Sequence, residues 1–246
     1  MIVTILAVNY NCLKWMELLV KSVRKFTHLP HEIIIVDNHS IDGSVEWLQE
    51  QGDVKAIMLN YNSHHGPGLD MGLKHVNSRY CMVMDIDAHL QDENWADNLI
   101  GLYGKKKERK LIAAKGGDPD VPNAKPIHAC FQFFETAFFK ENNLSFAPRE
   151  GHDVGRKNYY DVVNLGYEVL RIPAGYEKDR RKLYDGAWGD NYYIDGKRFL
   201  YHNWYSARMF NVKDPHGKVD NYEKQEFLKR EKIVFEQKLV RKILET

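Results

Sequence analysis

The chain has 246 residues, of which 43% are hydrophobic and 28% charged, with 35 Lys and Arg against 34 Asp and Glu for a net charge of +1. That length buries a good core without staples, and the balanced charge removes any global electrostatic case for a nucleic-acid binder. Three cysteines (Cys12, Cys81, Cys130) are odd in number, far apart and form no metal-ligand pair by spacing; Cys12 and Cys81, in or beside apolar runs, read as buried thiols, and a reducing compartment fits best.

Met1 leads at once into strand-like sequence with no leader pattern, and no apolar run approaches a membrane span. The expectation is a cytoplasmic protein, peripheral to a membrane at most. The β-branched run 2–8 predicts a first strand. After Asn9-Tyr10-Asn11, the apolar spacing of Leu13, Met16, Leu19, Val20 and Val23 predicts a helix over 13–26. Residues 32–36 (EIIIV) predict a second buried strand, and a Ser40–Ser44 turn caps a helix over 45–51. A third strand is expected at 54–59, then a His- and Gly-rich segment and a helix over 69–76. A fourth strand, 80–84, runs straight into Asp85-Ile86-Asp87.

This β-α-β alternation predicts an α/β fold with a mostly parallel central sheet flanked by helices. Beyond Leu90 the pattern loosens into a helix at 95–103, a strand at 111–114, an aromatic run at 129–139 and a charged helix at about 221–246, the last a C-terminal helical extension. The domain reading is a catalytic domain over 1–212, with halves 1–90 and 91–212, and an extension over 213–246. Asp85 and Asp87 stand at a strand's C-terminal end, where open α/β sheets keep their ligand crevice. In extended geometry residues i and i+2 share a side, so both carboxylates address one object. Their mutual repulsion is relieved by a hard divalent cation that itself holds phosphates; the competing reading of the triplet is a loop with an Asp cap.

Four ordered segments, Ala7–Asn11, Glu32–Ser44, Asn62–Gly72 and Val83–Asp87, resemble the motifs of the inverting nucleotide-sugar glycosyltransferases of family 2, with the GT-A (Rossmann-like) fold. The resemblance is close over residues 1–90 and loose beyond. It implies that Asp87 is a direct metal ligand, with Asp85 nearer the ribose or a metal-bound water, and that the ion is Mn²⁺ or Mg²⁺. It implies a base pocket lined by Val8 and Tyr10, with Asp37 accepting from a pyrimidine N3–H; the competing reading of Asp37 is a strand-end turn. His65, Gly66, Asp70 and Ile86 fall in the matching nucleotide-sugar segments. The chain departs from the family at Ser63–Asp70, where Asp70 stands in place of an Asn, and His64 and His65 either replace a basic phosphate contact or belong to a surface loop.

By the same resemblance Asp153 is the catalytic base, with Glu150 as its fallback, and the competing reading is a helix cap. His202, after an aromatic run, is the third metal ligand or else a core histidine. Lys178–Lys182 reads as a loop over the diphosphate or as solvated surface, and His216 is the weaker metal candidate. The expected activity is transfer of a sugar from a UDP- or dTDP-sugar to a hydroxyl of a glycan acceptor, lipid- or protein-linked. The alternatives are a non-catalytic module that binds a nucleotide-sugar or a partner, and a glycosyltransferase acting on a modified nucleic-acid base; the C-terminal helix offers a surface for a homo-oligomer. A sugar-1-phosphate nucleotidyltransferase would open on a Gly-rich signature that residues 7–11 lack.

Overall fold

A computed structural model describes residues 1–117, 126–175 and 189–203. In chain order these form β1 (Val3–Asn9), α1 (Leu13–Phe26), β2 (His31–Asp37), α2 (Ser44–Gln49), β3 (Val54–Met58), α3 (His65–Leu73), β4 (Tyr80–Met84) and β5 (Ala88–Leu90). There follow α4 (Trp95–Gly104), β6 (Arg109–Lys115), β7 (Ile127–Glu135), α5 (Thr136–Glu141), α6 (Lys157–Asn164), β8 (Glu168–Ile172), β9 (Gly189–Ile194) and β10 (Lys197–Asn203). The loop Lys178–Lys182, His216, the 212/213 boundary and the C-terminal helix lie outside the described residues.

The main sheet has seven strands in the order β3-β2-β1-β4-β7-β6-β8. The β1, β2, β3 and β4 pairings are parallel, as is β6 with β8; β7 alone runs antiparallel to its neighbours β4 and β6. The expected parallel alternation therefore holds through β4. Because β4 pairs with β7, the halves 1–90 and 91–212 share one sheet. A second sheet, β5-β10-β9, is antiparallel throughout.

Side-chain alternation divides the core into two layers. Val3, Ile5 and Ala7 of β1, Ile33 and Ile35 of β2, and Met82 and Met84 of β4 pack with the buried stripe of α1. Leu6, Val8, Ile34, Val36, Cys81 and Val83 face the other way, onto α3 and the aromatic cluster. There Phe134 stacks on Phe139 at 4.1 Å and Phe139 on Phe146 at 5.1 Å, so the aromatic run serves packing.

One boundary corrects the sequence reading. Helix α3 begins at His65, four residues before the expected start, through Gly66-Pro67-Gly68. Proline is tolerated in a first helical turn because its missing N–H has no intrahelical acceptor there. Gly66 and Gly68 are selected by closeness: a Cβ on Gly66 would stand 2.4 Å from the Phe146 carbonyl oxygen, and one on Gly68 3.1 Å from a Val8 methyl. Among the described residues no helix is long and apolar enough to cross a membrane.

Candidate active site

The C-terminal ends of β1, β2 and β4 lie along one edge of the sheet, since Asn9 pairs with Asp37 and Leu6 with Val83. The backbone beyond them is held in unusual shapes. Asn11, His39 and His64 have φ of 51°, 67° and 68°. His64, with ψ of 169°, occupies a region that is nearly glycine-only. Hydrogen bonds hold it there: its N–H donates to Asn62 Oδ1 at 2.8 Å, and its carbonyl accepts from Asn38 Nδ2 at 3.2 Å and Gly68 N at 3.1 Å.

Asp85 and Asp87 flank a turn between β4 and β5, closed by the Ala88 N–H donating to the Asp85 carbonyl at 2.9 Å. His202, next to last in β10, reaches them from the second sheet. Its Nε2 lies 3.4 Å from Asp85 Oδ2 and 3.4 Å from Asp87 Oδ1. His65, first residue of α3, brings Nε2 to 3.6 Å from Asp85 Oδ1. Asp87 and His202 are 6% and 5% exposed, and Ile86 between the carboxylates is 5% exposed.

Electrostatics at this cluster are strong. Burial pushes the Asp85 carboxyl up, but the hydrogen bond from His202 and the charges of His65, His202 and His128 outweigh it and hold the group well below the usual carboxylate range. Burial pushes the His202 imidazole down, yet Cys130, Asp87 and Asp85 together raise it well above its ordinary value. A proton on His202 thus supplies positive charge where two carboxylates converge.

The donor set fits a hard divalent ion. One ligand atom each from Asp85, Asp87 and His202 lie within 4.8 Å of one another. Asp85 Oδ1 is buried without a hydrogen-bond partner, a deficit that a bound cation would remove.

Not every expected residue faces this point. Asp37 is fully buried in the strand-end turn: its Oδ2 accepts from Asn9 Nδ2 and its Oδ1 from Ser40 N, both at 2.8 Å. Asp70 is turned to the segment 145–147, accepting from Ser145 Oγ at 2.6 Å, Phe146 N at 2.8 Å and Ala147 N at 3.2 Å. A carboxylate at this point of α3 thereby satisfies the backbone that crosses Gly66. Val8 is buried in the core layer that faces α3, and Tyr10, just beyond β1, is half-buried.

Asp153 precedes α6, where its Oδ1 accepts from the Val154 N–H at 2.8 Å and its Oδ2 lies 3.4 Å from Arg156 Nη2. Its side chain is nonetheless 61% exposed. Glu150 is the first central residue of a tight Arg149–His152 hairpin, with φ of 52°, and sits 3.1 Å from Lys157 Nζ. His128 and Cys130 of β7, which no motif marks, lie beside His202. Cys130 is buried and has these two histidines for neighbours. Burial pushes its thiol up, and His202 and His128 outweigh that and hold it below its ordinary value.

A mostly parallel central sheet flanked by helices, with an aspartate pair and an imidazole converging near its C-terminal edge, is the architecture of the GT-A class. The sequence model for glycosyl transferase family 2 matches residues 4–156, more than half of the chain, and the chain belongs to that family. Solved structures agree in fold. A mannosyltransferase from Pyrobaculum calidifontis, in complex with GDP-Man and Mn²⁺, superposes with a TM-score of 0.56 at 16% identity, over 70% of this chain and 54% of that one. S. aureus TarS 1–349 superposes with a TM-score of 0.55 at 16% identity, over 94% of this chain and 71% of its own. Its complex with UDP-GlcNAc gives 0.53 at 16% identity, over 96% and 73%. The chain thus spans about half the length of the mannosyltransferase. No curated protein matches.

Proposed function

We propose that this chain transfers a glycosyl group, with inversion, from a UDP- or dTDP-sugar to a hydroxyl of a glycan-type acceptor, using Mn²⁺ or Mg²⁺. The observation that carries the reading is the convergence of Asp85, Asp87 and His202 at the sheet edge, with a buried carboxylate oxygen that accepts no hydrogen bond. When bound there, the ion offsets the negative charge that builds on the departing diphosphate.

The chain's own groups do the rest. Asp87 and His202 hold the ion's place, with Asp85 as third ligand or as partner to the ribose. His65, at the first turn of α3, presents an imidazole and a helix N-terminus to the diphosphate. Val8 and Tyr10 wall the base; Asp37 serves the same pocket by fastening the Asn9–Ser40 turn and accepts from the pyrimidine when that turn yields an oxygen. Asp153, open to solvent before α6, takes the proton of the acceptor hydroxyl. The oxygen then attacks the anomeric carbon in line, and the bond to the diphosphate oxygen breaks with its electron pair on the leaving group. Glu150 is the alternative base.

A thermal-shift panel of UDP-, dTDP- and GDP-sugars with and without Mn²⁺ tests this, GDP being included because one neighbour is complexed with GDP-Man. A donor at a hundredfold over its dissociation constant stabilises the fold by about 2.7 kcal/mol. The shift should require Mn²⁺, favour one nucleotide and vanish in Asp87→Ala. Asp153→Asn should keep that shift while turnover falls by roughly 10²–10⁴. No shift with any donor would instead support a binding module for another ligand.

A further inference from the structure

Strand β7 does not run evenly against β6. Ala113 pairs with Gln132, but the next residue, Ala114, pairs with His128, so residues 129–131 form a bulge. Bulges re-aim side chains and gather near functional sites. This one sets His128 and Cys130 beside His202, with one ligand atom from each within 4.8 Å of the others. The Asp85 N–H donates to the Cys130 carbonyl at 3.0 Å, which fixes the bulge against the carboxylate turn.

Two further observations point to a ligand. His202 is 5% exposed, and its Nδ1 is buried with no hydrogen-bond partner while Nε2 faces the carboxylates. Cys130 is fully buried, with its Sγ 3.4 Å from the Tyr192 hydroxyl, and the Tyr192 ring packs edge-on against Phe131 at 5.1 Å. A sulfur in a dry aromatic shell with one hydroxyl to tune it is the outer-shell arrangement of a thiolate ligand. One thiolate and two imidazoles suit zinc-class ions far better than Mn²⁺ or Mg²⁺.

We propose that His128, Cys130 and His202 form a site for a thiophilic divalent ion of the zinc class, adjacent to the carboxylate pair and sharing His202 with it. A neutral imidazole has one free lone pair in its ring plane. With the zinc-class ion on Nδ1, the proton sits on Nε2 and is donated to Asp85 and Asp87, which become orienting partners of a carboxylate–histidine–metal triad. The same histidine is then lost as a ligand to the ion between the carboxylates, so the two ions compete. The Cys130 N–H donates to His128 Nδ1 at 3.2 Å, which ties the His128 ring to the bulge. The site goes beyond the glycosyl-transfer reading and shares with it His202 and the two carboxylates that orient it.

The test is titration of the metal-free full chain with Co²⁺, reading the thiolate-to-cobalt charge-transfer absorption. One equivalent should develop the band, Cys130→Ser should abolish it, and His128→Gln should weaken binding at least about tenfold. If Cys130→Ser fails to fold, His128→Gln decides alone. No thiolate band in the wild type, or a band that the folded variants leave unchanged, overturns the site. Preloading with Mn²⁺ should move the midpoint to higher Co²⁺; an unmoved midpoint overturns the shared imidazole. No nucleotide is present in this titration, so failure of the donor panel and failure of the zinc-class site are read separately.

Discussion

His64 holds a backbone shape that glycine adopts freely and histidine does not, at the entrance to α3. Such conformations cost on the order of 1–3 kcal/mol and persist where neighbours over-determine them, as Asn38 and Asn62 do here. His64→Gly should therefore raise stability by about 1 kcal/mol, read as a higher midpoint in chemical denaturation. A lower midpoint would show that the imidazole itself anchors the loop. Residue placement was only partly legible in the sequence. Asp85, Asp87 and His202 converge as their types and positions suggested, because a strand end and a late strand both finish at one edge. Asp70 could not be read in this way: its three donors come from residues 145–147, far along the chain.

At the scale of elements, the first four strands were legible because each is a short apolar run bounded by turn residues. Strand β7 was not, since its aromatic run continues without a break into α5, and its bulge leaves no mark in a period-two pattern. The start of α3 was missed because Gly-Pro-Gly reads as a loop, whereas here small residues answer the close crossing of 144–147. Gly66→Ala should test that crossing. Its methyl group meets a backbone carbonyl that cannot rotate aside, unlike the Leu6 methyl facing Gly72. The expected loss is about 1–3 kcal/mol in a denaturation series, with Gly72→Ala losing less. Equal losses would mean that α3 shifts as a unit.

The whole molecule should be acid-labile through His89, which is 1% exposed on β5 beside Tyr201. Burial, with the charges of His202 and Arg198, lowers its pKa from 6.5 to about 3. A base whose folded value is depressed stabilises the fold above its unfolded value; that contribution drains as pH falls from about 6.5 toward 3. His202 has the opposite sign: its raised value stabilises the metal-free fold at low pH and is lost as pH climbs through it. Thermal midpoints in the metal-free protein should drop between about pH 6.5 and 4, and His89→Phe should flatten that limb. An unchanged slope would assign the lability to another group.

The carboxylates sit on the turn after β4 in the main sheet, while His202 closes β10 in the small one. An ion held by all three is a crosslink between chain positions 87 and 202, and it removes the entropy of a very long loop. Loading is then also an assembly step: amides of β5, β9 and β10 should exchange with deuterium much faster after chelation, while β1 and β2 keep their protection. Uniform change across both sheets would mean that the fold opens as one unit. A donor that arrives with its metal would find the early strands ready and would itself complete the late ones.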